Sequence, residues 1–115
     1  MVHITPWYFE PVIQTLTALA EPNRLAIVEF LRDGPRSVND IVDRLGLSQP
    51  LVSKHLKVLS EVAIVDRRVD GKRRIYSLKK SRFDELDRWL DTFAGLWDQR
   101  LDRLQAHLDR AEGNR

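Results

Sequence analysis

Two short apolar stripes, one ending at Leu45 and the next beginning at Val52, are separated by almost no chain, and this spacing limits the possible folds more than any other feature. Val38, Ile41, Val42 and Leu45 recur as one buried helix face would. Val52, Leu56 and Leu59, at steps of four and three, define a second such face. Gly46 suits the left-handed position that ends a helix, and Ser48 can cap the next one. Pro50 is tolerated in a first turn, where no intrahelical donor is required. Only Gly46 and Leu47 remain as the connection, so the two helices must cross sharply. Residues 37–60 therefore read as a helix-turn-helix.

The flanking chain extends this unit. Residues 6–20 predict a first helix, with Phe9, Val12, Ile13, Leu16 and Leu19 at helical spacing and with Pro6 or Pro11 in its first turn. Glu21-Pro22 interrupts it and starts a second helix, whose apolar face is Leu25, Ile27, Val28 and Leu31 and whose stop is Gly34-Pro35. Ser37-x-x-Asp40 reads as a capping box with Asp in place of the usual Glu. After residue 60 the period changes to two strands, Val65 to Val69 and Lys72 to Leu78, around an Asp70-Gly71 turn with positive φ at both central positions. From Ser81 onward Phe83, Leu86, Leu90, Phe93, Trp97, Leu101, Leu104 and Leu108 predict one helix of roughly 40 Å.

Three helices followed by a hairpin give the winged-helix layout. The expected fold is mainly α with a small β-hairpin: a single domain over residues 1–115, a winged helix-turn-helix with long terminal dimerisation helices at 6–20 and 81–110 and a wing at 65–78. The terminal stripes need cover, and a second copy supplies it. Phe9, Val12, Ile13, Leu16, Leu86, Leu90, Phe93, Trp97, Leu101 and Leu104 are the expected homodimer interface. Dimer packing accounts for Trp89, Phe93 and Trp97 more simply than an apolar effector pocket does.

Composition narrows the function. At 115 residues with 43% hydrophobic content the chain holds one modest core and no second catalytic domain. With no cysteine there is no disulfide framework, thiolate metal site or cysteine nucleophile, which fits a reducing cytoplasm. No apolar run reaches a membrane span, and no basic start precedes an apolar run as in a secretory signal. His3, His55 and His107 fall in separate elements, and Asp84 and Asp87 sit among arginines on a helix surface. No nucleophile, base and orienting acid come together, and no Gly-rich phosphate loop occurs, so the chain does not read as an enzyme.

The net charge of +2 is small, but Arg67, Arg68, Lys72, Arg73 and Arg74 crowd into the hairpin, as a local phosphate-binding surface would require. If Val52, Leu56 and Leu59 face the core, then Ser48, Gln49, Pro50, Ser53, Lys54 and Lys57 project outward. Small and amide-bearing residues at a helix start permit close approach to base edges, and Gln can pair with adenine in two hydrogen bonds. His55 lies at the margin of the apolar face and is carried as a further DNA-contact candidate, although a lone histidine there is more often packed. Double-stranded DNA is the expected partner. The alternative is a winged-helix protein-interaction module that reads no DNA.

Leu19-Ala20-Glu21-Pro22-Asn23-Arg24-Leu25-Ala26-Ile27, Leu47-Ser48-Gln49-Pro50-Leu51-Val52-Ser53-Lys54-His55-Leu56-Lys57-Val58-Leu59 and Gly71-Lys72-Arg73-Arg74-Ile75-Tyr76-Ser77-Leu78 together resemble the ArsR family of winged-helix repressors. They match its second-helix opening, recognition helix and wing, with coverage from about Leu16 to Leu78. The resemblance implies a dimer built from first and last helices, bound to an imperfect palindrome at a promoter, often its own. It implies base contacts from Gln49, Pro50, Ser53 and Lys54, with wing arginines on phosphate. The chain departs from metal-sensing members, having Ile41 and Asp43 in place of paired cysteines and Lys80, Arg82, Phe93 and Leu96 where other members carry ligands. No metal and no cofactor is expected, and the effector, if any, is left open.

Overall fold

The computed structural model describes residues 9–113. Helices α1 (Phe9–Leu19) and α2 (Pro22–Leu31) lead into strand β1 (Arg36–Ser37), helix α3 (Val38–Leu45) and helix α4 (Gln49–Glu61). Strands β2 (Val65–Asp70) and β3 (Arg73–Leu78) form the wing, and helices α5 (Lys80–Asp91) and α6 (Ala94–Gly113) close the chain. The expected first-helix start at Pro6 lies outside the described residues, as do the side chains of Phe9 and Trp97. The fold is the expected one, mainly helical with a winged helix-turn-helix at its centre.

Local chemistry explains the boundaries. Glu21 adopts extended backbone and accepts a 2.8 Å hydrogen bond from the Arg24 N–H, capping α2 with Pro22 behind it. At α3 the capping box is reciprocal: the Asp40 N–H donates to Ser37 Oγ at 3.1 Å, and the Ser37 N–H donates to Asp40 Oδ2 at 3.2 Å. Gly46, at φ 66°, sends its N–H back to the Val42 carbonyl and turns the chain into α4. Ser48 then caps α4 through the Leu51 N–H.

Helix α4 ends without a glycine. Ala63 stands at φ 59° and donates to the Ser60 carbonyl, while the Ile64 N–H reaches the Leu59 carbonyl. These two bonds form a Schellman motif, and its apolar partners Leu59 and Ile64 are both fully buried. The core gathers around them, with Ile27 of α2, Ile41 of α3, and Val52 and Leu56 of α4. Val65 and Tyr76 seal it from the wing. Val12 and Ala18 put one face of α1 inside, and α1 packs on α2 and α5.

Four details differ from expectation. The wing turn is Gly71-Lys72 rather than Asp70-Gly71, because Asp70 pairs across the ladder with Arg73. Only Gly71 takes positive φ (63°), the pattern of a type II′ turn, which requires glycine at its first central position alone. A third strand, β1, pairs with β3 to give sheet order β1-β3-β2, so the wing is stitched to the start of α3. The single terminal helix is broken: the Thr92 and Phe93 N–H groups bond to carbonyls three residues back, and Thr92 Oγ1 donates to the Trp89 carbonyl at 2.6 Å. This side-chain bond competes with the regular ladder and separates α5 from α6.

The apolar assignments also shift. Val12, expected at a dimer interface, is buried within the protomer, because it lies on the α1 face that packs inward. Leu25, expected in the core face of α2, is exposed. Leu86 is half-buried, whereas Ile13, Leu16, Leu90, Phe93, Leu101 and Leu104 are exposed. Among the described residues no helix is long and apolar enough to cross a membrane.

Candidate nucleic-acid interface

Burial of Val52, Leu56 and Leu59 fixes the roll of α4 and so selects its outer face. Gln49, Ser53, Lys57 and Ser60 follow one another at steps of four, four and three along the side that meets the wing. Gln49, Lys57 and Ser60 are exposed and Ser53 is half-buried. Ser48, Pro50 and Lys54, also expected on this surface, are exposed too.

Strand register sorts the wing cations. Arg67 opposes Tyr76 and Arg74 opposes Val69, and strand alternation puts all four on the face where Tyr76 enters the core. Arg68 opposes Ile75 and Arg73 opposes Asp70 on the other face. Between α4 and the first face lies a cleft of about 650 Å³ lined by Ser53, Lys57, Ser60, Arg67, Arg74 and Tyr76. Asp66 also borders it, but its carboxylate is engaged by Lys79 Nζ at 4.0 Å. Three cations and two serine hydroxyls therefore converge on one open groove, an arrangement suited to a phosphodiester backbone.

A second, smaller groove runs between the start of α3, Gln49 and the wing tip, with Asn39, Lys72, Arg73 and Arg74 on its walls. Arg74 borders both grooves, and Gln49 borders the second. Gln49, at the start of α4, thus faces the wing tip across this channel.

One candidate does not belong to the surface. His55 is buried, and its Nδ1 lies 3.7 Å from Oε2 of Glu21, because its position on α4 turns it toward the cap of α2 rather than outward. Sequence reasoning missed Ser60 and Asp40 as neighbours of the wing. Ser60 was detectable as the next step of the Gln49–Ser53–Lys57 stripe, whereas nothing in linear spacing brings Asp40 to Arg73. Asp40 Oδ2 nevertheless lies 3.8 Å from Arg73 Nη2. Hydrogen bonding to Ser37, aided by the Arg73 and Arg36 charges, holds the Asp40 carboxyl below its ordinary value.

Residues 21–67 match the family described as "Bacterial regulatory protein, arsR family". A relative from Mycobacterium tuberculosis, the transcriptional regulator Rv2034, is 43% identical over 76 residues, covering 66% of this chain and 71% of its own. The chain belongs to the ArsR family. The transcriptional repressor SmtB of the same organism is 45% identical over 65 residues, covering 56% of this chain and 48% of SmtB, so the match spans about half of that relative. A solved ArsR-family transcriptional regulator superimposes with a TM-score of 0.70 at 26% identity, over 82% of this chain and 97% of its own. The ArsR family consists of DNA-binding transcriptional regulators, not enzymes. Among the described residues of this member, no three histidine or carboxylate side chains converge as a metal site would require.

Proposed function

We propose that this ArsR-family chain is a sequence-specific, double-stranded-DNA-binding transcriptional repressor that acts as a homodimer in the cytoplasm. Its site is a palindromic promoter element, its own promoter included. The observation that carries this reading is the convergence of Ser53, Lys57 and Ser60 with Arg67 and Arg74 on one groove, with Gln49 on the adjoining groove that Arg74 also borders. Ser48, Gln49, Pro50, Ser53 and Lys54 approach base edges, and Lys57, Arg67, Arg68, Lys72 and Arg74 take phosphates.

The second copy is supported by what the protomer leaves uncovered. Its radius of gyration is 19.7 Å, against about 13 Å for a compact chain of this size. Every described side chain of α6 is exposed, including Leu96, Leu101, Leu104 and Leu108, and Ile13 and Leu16 of α1 and Leu90 and Phe93 beside them are exposed too. A two-fold dimer buries such a surface against its own copy and presents two reading edges to two half-sites.

The test is a gel-shift titration against fragments of the upstream region and random duplex. Gln49→Ala and Ser53→Ala lower the preference for the cognate fragment, each by roughly 1–3 kcal/mol at the base it reads. Arg74→Ala weakens both duplexes equally. Equal binding of cognate and random DNA by the wild-type protein would refute sequence-specific repression.

A further inference from the structure

The five wing cations are not electrostatically equivalent. Arg67 and Arg74 face the α4 cleft together with Lys57, and the Asp66 carboxylate that borders that cleft is already paired with Lys79. Arg73 stands on the opposite face with a carboxylate on either side: Asp70 directly across the ladder, and Asp40 at 3.8 Å from the first turn of α3. Asp40 is itself fixed, because the same oxygen that faces Arg73 accepts from the Ser37 N–H. Ser37 in turn pairs with Ile75 of the wing strand β3. Cap, short strand and wing therefore meet at one point, on the wall of the groove that holds Gln49 and Lys72.

We propose that Arg73 is a wing anchor rather than a DNA contact, and that Asp40 is the positioning residue that holds it, setting the distance between the wing tip and Gln49. Arg73 carries its counter-charge with it into the complex. It releases no counterion from the duplex, whereas Arg74, one residue on, does. This assignment rests on the DNA-binding reading for its consequence, but the Asp40–Arg73 pair exists without DNA.

Two measurements on the full chain test it. In the first, without DNA, the Asp40 carboxyl is titrated by carbon NMR in the wild type and in Arg73→Gln. The midpoint rises in the variant, although Arg36 and Ser37 still hold it below the ordinary range; an unchanged midpoint overturns the anchor. In the second, the slope of log Kobs against log salt is measured on one duplex. Arg74→Gln makes it shallower by about 0.9 per protomer, one phosphate contact, and Arg73→Gln leaves it unchanged. Asp40→Asn keeps an amide oxygen for the Ser37 N–H but removes the charge of the ion pair, and steepens the slope by about 0.9 per protomer as Arg73, with Asp70 still across the ladder, exchanges Asp40 for a phosphate. Restoration of the wild-type slope by Arg73→Gln in the Asp40→Asn background assigns the gain to Arg73. A shallower slope for Arg73→Gln alone, or no change for Asp40→Asn, overturns the proposal. Absence of salt-dependent duplex binding by the wild type overturns the DNA-binding reading instead, and the titration still judges the pair.

Discussion

His55 Nδ1 and Glu21 Oε2 lie 3.7 Å apart, so the inner edge of helix α4 is tied to the residue that caps α2. The hydrogen bond from the Arg24 N–H holds the Glu21 carboxyl below its ordinary 4.5, with the Asn23 N–H and the His55 and Arg24 charges adding to it. A carboxyl whose folded value is depressed binds fewer protons folded than unfolded. Its stabilisation is present above 4.5 and is lost as pH falls through the lowered folded value. The melting temperature should therefore fall as the solution is acidified below 4.5. Glu21→Gln should melt lower than wild type at neutral pH and show a shallower acid decline, as read by circular dichroism. The decline does not vanish, because Asp40 is shifted in the same direction.

His55 is a packing residue, and its replacement separates stability from DNA reading. His55→Ala empties a buried site and removes the partner of Glu21, which should cost roughly 1–3 kcal/mol in urea unfolding. At temperatures where the variant is folded, the ratio of cognate to random DNA affinity should match the wild type. A loss of that preference comparable to Gln49→Ala would return His55 to the reading surface.

Ala63 holds a position that glycine occupies in most helix ends of its kind. Its φ of 59° places a Cβ against backbone at a strain of about 1–2 kcal/mol. Glycine removes that strain and adds back some freedom to the unfolded chain, so Ala63→Gly should stabilise the protein by about 0.5 kcal/mol. The reverse change at Gly46, whose φ is 66°, should destabilise it by about 1 kcal/mol. Denaturant midpoints check both signs.

These helix ends also show what the sequence could and could not reveal. Where a boundary is written in local chemistry, as in Ser37-x-x-Asp40, Gly46 and Glu21-Pro22, the expected element and the observed one agree. Ala63 ends α4 through hydrogen bonds that leave no glycine to read, and Thr92 breaks the terminal helix through a side-chain bond inside an unbroken apolar period. The outward stripe of α4 was legible because periodicity alone fixes its roll. The roles of the wing cations were not: they depend on a one-residue turn register and on a two-residue strand, and both are set by tertiary pairing. His55 and Val12 lie at helix margins, where neighbours from distant sequence decide which way a side chain is covered.

Helix α6 offers the sharpest test of the dimer. Leu101, Leu104 and Leu108 follow one another at steps of three and four, and are 62%, 55% and 47% exposed in the protomer. None of them belongs to the core, so polar replacements there leave the winged helix intact. In a two-fold interface each substitution appears twice, and an aspartate buried without a partner costs several kcal/mol. Leu101→Asp with Leu104→Asp should weaken self-association by roughly a hundredfold or more, about 3 kcal/mol. Sedimentation should then show a monomer with an unchanged urea midpoint when extrapolated to low concentration. Duplex affinity should fall steeply with it if the site is the proposed palindrome, since one protomer would then engage a single half-site. A double variant that sediments as the wild type does would move the interface away from α6, and would leave its leucines in need of another cover.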